Sequence, residues 1–141
     1  MKNEQEVHFE GKIAQKVIVV KEGRVLLVQD PRGGKDIWEL PGGRMNIDEK
    51  PQVAVKRELF EELGVDIEVI KVVHMEQFIQ GNENARAFVI VYEATLLNSE
   101  KDFEVDDTEV SQVRWFTKEE VQEVQLYPEY KRALDIYFAH K

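Results

Sequence analysis

The chain has 141 residues, 43% of them hydrophobic, and carries 28 acidic against 19 basic residues for a formal net charge of −9. This size fits one domain spanning residues 1–141, and the negative charge argues against a nucleic-acid polymer as a partner, because its backbone attracts basic surfaces. There is no cysteine, no apolar run near about 18 residues and no signal-peptide segment at the start, so we expect no membrane partner and a cytoplasmic protein.

Residues 12–20 and 25–28 are short apolar runs rich in β-branched side chains, and the residues between them include Gly23. This pattern predicts a β-hairpin. Residues 29–36 have the composition of a loop, in which Arg32 and Lys35 could face a ligand, although exposure to solvent accounts for both equally well.

Residues 37–40 predict a brief strand that ends at Pro41. Gly42 and Gly43 follow, and glycine lets other groups approach the backbone closely, so a bare carbonyl here can face a metal ion. Trp38 fits core packing better than a substrate contact.

A helix is predicted to begin at Pro51, because proline is tolerated at the first helical position, and to end at Gly64. Lys50 is then the N-cap residue, which is a weak cap because lysine has no hydrogen-bond acceptor in its side chain. We expect Asp48 or Glu49 to compensate through the helix dipole.

The two faces of this helix differ in chemistry. An apolar stripe that should pack on a sheet consists of Val55, Leu59 and Leu63. Glu58, Glu61 and Glu62 lie within an arc of about 100° on a face that should look into the site. Because like charges this close repel one another, a cation should lie beside them, and hard carboxylate oxygens suit Mg²⁺ or Mn²⁺.

The second half of the chain alternates predicted strands, at residues 65–73, 85–94 and 111–116, with loops at residues 81–84 and 102–109. Residues 117–120 have the form of a capping box for a short helix, and Pro128 opens a last helix. A hairpin followed by interleaved helices and strands predicts a mixed sheet with helices on both faces.

The run from Gly43 to Val65 reads G-x5-E-x7-R-E-U-x-E-E-x-G-U, where U is a bulky aliphatic residue, and is identified as a Nudix box. Residues 38–42 lead into it as they do in many members of the Nudix hydrolase family. The resemblance implies an α/β fold, a Nudix-type α/β/α sandwich with a mixed parallel and antiparallel sheet. It also implies a Mg²⁺- or Mn²⁺-dependent hydrolase of a small nucleotide substrate, and a homodimer is common among relatives.

By this resemblance the metal ligands are the Gly42 carbonyl, Glu58, Glu61 and Glu62. The three glutamates act in catalysis together with Arg57, which orients them. The spacing of Arg57 and Glu61 by four residues independently predicts an ion pair on the helix.

Many members complete the site with a carboxylate outside the box, acting as general base or ligand. The loop before residues 115–116 offers Glu104, Asp106, Asp107 and Glu109, and we favour Glu109. A solvated acidic loop accounts for the other three.

We assign substrate binding to four residues: Arg32, Glu39, Arg44 and Phe78. Phe78, Tyr92 and Tyr127 could stack on a base, although core packing accounts better for each. Gly81 stands where ADP-ribose pyrophosphatases usually carry proline, and the motifs of the coenzyme A and NADH subfamilies are missing.

Several functions therefore stay open. The substrate is a nucleotide sugar, an ADP-ribose-like compound or a nucleoside triphosphate, and one alternative is the removal of oxidised nucleoside triphosphates. A Nudix fold kept as a ligand-binding module, and a chance match in a structural protein, are the non-enzymatic alternatives, but the box retains every carboxylate.

Overall fold

A computed structural model of the protein describes residues 5–34, 36–80 and 85–141. Lys35 and Gly81, on which two of the expectations above fall, lie outside the described residues. So do the rest of the predicted loop at residues 81–84 and the first four residues of the chain.

The elements alternate between strands and helices along the chain. In chain order they are β1 (Lys12–Lys21), β2 (Arg24–Gln29), β3 (Ile37–Trp38), β4 (Gly42–Arg44), α1 (Pro51–Leu63), β5 (Ile67–Gln80), β6 (Ala85–Leu96), β7 (Gln112–Phe116), α2 (Lys118–Val121), β8 (Gln125–Leu126) and α3 (Pro128–Ala139).

The larger sheet is built around β1. This strand runs parallel to β6 and antiparallel to β2, and the strand order is β5-β6-β1-β2-β7. β5 and β7 pair antiparallel with β6 and β2, respectively. The predicted hairpin and the predicted mixed sheet are both confirmed.

One edge of β1 is shared by two partners, so the sheet forks there. β4 pairs with the first half of β1, where Gln15 faces Gly43, whereas β2 pairs with its end, where Val20 faces Val25. The connecting segment crosses from β2 to β1: Glu39 bridges to Val28, and the N–H of Val17 then donates to the carbonyl of Pro41 at 3.1 Å. This crossing fixes the backbone that leads into the box.

Helices cover both faces of the sheet. Side chains alternate along β1, so Val17 and Val19 pack in one apolar cluster with Leu59 of α1, while Ile18 packs in the other with Leu134 of α3. The α/β/α sandwich is therefore confirmed. Among the residues described here, no helix combines the length and apolarity that crossing a membrane requires.

The ends of α1 lie where they are predicted. Lys50 is the N-cap without a side-chain hydrogen bond, and Gly64 ends the helix with φ of 67°. The Glu49 carboxylate, one of the two expected to interact with the helix dipole, binds the Arg57 guanidinium, with Nε and Oε2 2.7 Å apart. The short α2 has the predicted capping box at Thr117 and Glu120.

The strand predicted at residues 65–73 is wrong in its extent, because β5 continues to Gln80. Its register against β6 shifts between Val69 and Lys71 and again between Val72 and His74. Such bulges break the alternation of apolar and polar residues that marks a strand in sequence. The short pairing of β3 with β8 was not predicted either.

Candidate active site

A cavity of about 1010 Å³ opens where the fork of β1, the middle of α1 and the start of α3 meet. Side chains from β1, β4, α1, β5 and α3 line it, together with the loops after β2 and before β7. This volume lies at the upper end of the range for small-molecule sites.

Two glutamates of α1 enter the cavity. Glu62 is only 8% exposed and accepts a hydrogen bond from the backbone N–H of Gly42 at 3.4 Å. Burial raises the pKa of Glu62 to about 8, although Lys16 opposes this. Burial also raises the pKa of Glu58, against the nearby Arg57 guanidinium. Two carboxylates that are costly to ionise where they stand make a site that favours a cation.

Two glycines bring the β4 backbone against these carboxylates. A Cβ on Gly43 would lie 2.6 Å from the carboxyl carbon of Glu58, so any other residue would displace that carboxylate. Gly42 has φ of 131°, and a Cβ there would lie 2.2 Å from the Gln15 carbonyl oxygen. The backbone geometry thus requires glycine at residue 42, whereas glycine at residue 43 leaves the Glu58 carboxylate in its position.

Arg57 binds three carboxylates beside the cavity. Its guanidinium contacts the carboxylates of Glu49, Glu58 and Glu61 at 2.7, 3.1 and 3.0 Å and donates to the Arg44 carbonyl at 3.3 Å. The predicted pair between Arg57 and Glu61 is confirmed. A guanidinium fixed on several partners can orient Glu58 within the cavity.

Glu61 differs from the other two glutamates of the box. Its side chain is 55% exposed and pairs with Arg57, and it is not part of the cavity wall that the described residues form. Glu58 contacts the same guanidinium nitrogen, Nη1 of Arg57, so the carboxylates of Glu58 and Glu61 lie side by side. Glu61 therefore stays a predicted metal ligand.

Lys16 lines the candidate site and was not predicted from the sequence. It is 7% exposed, and its Nζ donates to Glu39 Oε1 at 3.1 Å and to the Gly42 carbonyl at 3.2 Å. Burial alone would lower its pKa, but the carboxylates of Glu39 and Glu62 hold that pKa above its usual value. A lysine within an apolar strand was the available signal, because lysine is seldom buried without a partner.

All four residues assigned to substrate binding lie on the cavity wall: Arg32, Glu39, Arg44 and Phe78. Glu39 is held by Lys16, and Nη2 of Arg44 donates to Oε1 of Gln80 at 3.2 Å. Tyr127 also lines the cavity, whereas Tyr92 packs in the apolar cluster on the α1 side of the sheet.

The acidic loop contributes Glu109 to the cavity wall. Nη2 of Arg32 donates to Glu109 Oε2 at 2.7 Å, and the same guanidinium contacts Asp30 at 3.0 Å. The carboxylate of Asp106 instead accepts hydrogen bonds from Thr108 within its own loop. Arg32 and Glu109, which are far apart in sequence, thus meet at the mouth of the cavity.

The start of α3 supplies two more residues that sequence reasoning missed, Glu129 and Arg132. Glu129 is 9% exposed, and burial raises its pKa. The guanidinium of Arg132 binds the Glu76 carboxylate with contacts of 2.8 and 2.9 Å. Neither has a signal in the sequence, since each resembles an ordinary polar residue of a helix.

The donors around Glu58 and Glu62 fit a divalent ion. They comprise two carboxylates and the Gly42 carbonyl, which are hard oxygen ligands. Within residues 5–34, 36–80 and 85–141 no group of three histidine or acidic side chains could hold a metal ion on its own. Mg²⁺ takes few protein ligands and completes its shell with water and substrate phosphates.

Known proteins resemble this chain in sequence. The NUDIX domain family matches residues 12–137 of the chain. A MutT-like protein of Streptomyces ambofaciens is 43% identical over 53 residues, which are 38% of this chain and 33% of that protein. Phosphatase NudJ of Escherichia coli strain K12 is 27% identical over 113 residues, which cover 80% of this chain and 72% of that protein.

Solved structures share the fold. A NUDIX hydrolase from Nitrosomonas europaea superimposes with a TM-score of 0.80 at 19% identity, covering 94% of this chain and 91% of that one. The MutT NUDIX hydrolase of Burkholderia pseudomallei gives 0.78 at 24% identity, covering 90% and 98%. The arrangement of the sheet and helices around the cavity is therefore shared by proteins of very different sequence.

Proposed function

Because the NUDIX domain match covers residues 12–137, the chain belongs to the Nudix hydrolase family, and we propose that it hydrolyses a diphosphate bond in a small nucleotide with the help of Mg²⁺ or Mn²⁺. The substrate class is a nucleoside diphosphate linked to another moiety: a nucleotide sugar, an ADP-ribose-like compound or a nucleoside triphosphate. The name of the related phosphatase NudJ supports chemistry at phosphorus.

One observation carries this proposal: the buried carboxylate of Glu62 and the half-buried carboxylate of Glu58 lie against the Gly42 and Gly43 backbone, respectively, on the wall of a cavity large enough for a nucleotide. These groups would hold the metal ion, and Glu61 is a further candidate ligand from the box. A divalent ion bound there neutralises phosphate charge and lowers the pKa of a water that it binds.

The residues around the ion have separate roles, which are to position the ligands and to accept a proton. Arg57 keeps Glu58 in place, and the N–H of Gly42 does so for Glu62. During hydrolysis the oxygen of water forms a bond to phosphorus as the bridging P–O bond breaks, and the departing phosphate leaves with its electrons. Glu109 accepts the proton of the attacking water, and Arg32 holds the Glu109 carboxylate ready.

The rest of the wall suits the two ends of a nucleotide. Arg44 and Arg32 supply positive charge for phosphates, which a chain of net charge −9 must provide locally. Phe78 and Tyr127 offer aromatic faces for a base or sugar, and the buried Glu129 can accept hydrogen bonds from a base.

The test is a phosphate-release screen of the purified protein with Mg²⁺ and Mn²⁺. The panel contains ADP-ribose, nucleotide sugars, dinucleoside polyphosphates, and normal and oxidised nucleoside triphosphates. Added inorganic pyrophosphatase or phosphatase identifies each product. We expect a metal-dependent hit, and silence across the panel with intact Mn²⁺ binding would favour a non-catalytic ligand-binding module.

A matched pair of variants ties any activity to the site. Glu62→Gln removes a charge without removing volume, so we expect turnover to fall by about 1000-fold or more with an unchanged circular dichroism spectrum. Glu68→Gln makes the same change at an exposed position of β5 and should leave turnover unchanged. Near-normal activity of Glu62→Gln would contradict the assignment.

A further inference from the structure

We propose that Lys16 is a resident counter-ion at the candidate metal site, one that competes with a divalent ion for the Gly42 carbonyl and so weakens binding of that ion to the substrate-free protein. This inference rests on the proposed function, since it concerns the same metal site. It assigns a regulatory and positioning role to a residue outside the Nudix box.

The position of the ammonium is fixed by the fold. Lys16 lies in the interior of β1, where the backbone pairs with Gly42 of β4 on one side and Val91 of β6 on the other. Its Nζ contacts Glu39 Oε1 at 3.1 Å and the Gly42 carbonyl at 3.2 Å, and lies 5.4 Å from the centre of the Tyr130 ring. With three such neighbours, the side chain has little freedom to withdraw.

The charge of Lys16 therefore acts directly on the candidate ligands. A positive charge within hydrogen-bond distance of the Gly42 carbonyl repels a divalent cation at the same oxygen, and burial prevents salt from screening that repulsion. Lys16 also forms an ion pair with Glu39, whose carboxylate on the cavity wall would otherwise be available to a metal ion. Both effects reduce the affinity of the site for a metal ion by itself.

A consequence for the reaction follows. The phosphates of a nucleotide add negative charge to the cavity and offset the ammonium, so the ion binds firmly only together with its substrate. Lys16 would thus couple occupancy by metal to occupancy by substrate. The same ammonium holds the Gly42 carbonyl in place through its hydrogen bond.

The experiment measures Mn²⁺ binding to the substrate-free full chain, by the electron paramagnetic resonance signal of the unbound ion. We expect Lys16→Met to bind Mn²⁺ about tenfold more tightly than the wild type, or better. The control Lys118→Met removes one positive charge at an exposed position of α2, and it should bind Mn²⁺ within about twofold of the wild type.

A second pair of variants controls for misfolding, because Lys16→Met leaves the half-buried Glu39 without its partner. Glu39→Gln alone and together with Lys16→Met form this pair, and the double variant should bind Mn²⁺ about tenfold more tightly than Glu39→Gln. Circular dichroism spectra establish which variants are folded.

The outcomes separate the two proposals. Equal or weaker Mn²⁺ binding after removal of Lys16, in whichever pair folds, overturns the counter-ion role and leaves the proposed function standing. Absence of Mn²⁺ binding from every variant and from the wild type overturns the metal site and the counter-ion role together.

Discussion

Gly42 and Gly43 are neighbours with different reasons to be glycine. At Gly43 the backbone is ordinary, and the conflict of an added Cβ is with the Glu58 carboxylate, 2.6 Å away. At Gly42 the conflict is with backbone, and φ of 131° itself disfavours any other residue. Glycine at residue 43 therefore preserves the position of the Glu58 carboxylate, and glycine at residue 42 preserves the backbone conformation.

We expect Gly43→Ala to lower metal-dependent turnover by about 10- to 100-fold while changing the free energy of unfolding by less than about 1 kcal/mol, because a flexible carboxylate moves aside. Gly42→Ala should lower that free energy by about 2 kcal/mol or more. Urea denaturation and initial rates of the two variants measure the contrast. Equal loss of stability in both would contradict it.

Glu109 has a different environment from the buried Glu62 of α1. It lies at the mouth of the cavity, where its side chain is 42% exposed and bound to Arg32. If Glu109 is the general base, Glu109→Gln should reduce turnover by about 100-fold, a smaller loss than that of Glu62→Gln, with KM little changed. Steady-state kinetics decide this. Unchanged turnover would move the base to another residue of the same loop.

At the scale of the element, α1 begins with a poor cap. Lys50 offers no acceptor to the N–H groups of the first turn, whereas Thr117 caps α2 and receives the Glu120 N–H at 3.2 Å. We expect Lys50→Ser to raise the free energy of unfolding by about 0.5–2 kcal/mol and Thr117→Ala to lower it by a similar amount. Thermal melts measure the change in stability of both variants. A loss of stability in Lys50→Ser would contradict the capping argument.

The same helix shows which features of the fold could be predicted from the sequence alone. Pro51, Gly64 and the stripe of three apolar residues are local signals, and they predicted both ends of α1 and the face that packs on the sheet. The candidate carboxylate ligands were predicted from the box. Arg32 and Phe78 were assigned to substrate binding, and the structure places both on the wall of the cavity that Glu58 and Glu62 also line.

What the sequence could not predict depends on contacts between distant segments. Lys16 becomes a site residue only because the fork of β1 brings Gly42 and Glu39 to it. Glu129 reaches the cavity because α3 packs on the opposite side of the sheet from α1.

At the scale of the whole molecule, the titration of Glu129 makes the free energy of unfolding depend on pH. Burial raises its pKa in the folded state above the ordinary value of 4.5. The folded state therefore holds this proton more tightly, and the resulting stability is fully present below pH 4.5 and is lost as pH rises through the folded pKa. Glutamine at this position does not titrate.

The free energy of unfolding of Glu129→Gln, minus that of the wild type, should therefore increase between pH 4.5 and pH 8. Urea denaturation at both pH values, without added metal, measures the difference, and the other titrating groups cancel because both proteins contain them. A difference that shrinks as pH rises would contradict the raised pKa.

The candidate ligand oxygens all come from one short stretch, β4 and α1, whereas the walls that meet the rest of the ligand come from β5, from α3 and from loops far along the chain. The two sets of residues can therefore change independently during evolution. Replacing Phe78, Tyr127 or Glu129 can redirect the protein to a different nucleotide while the ligand oxygens stay intact. For enzyme engineering, a library confined to these wall positions explores selectivity without risking the bond-breaking machinery.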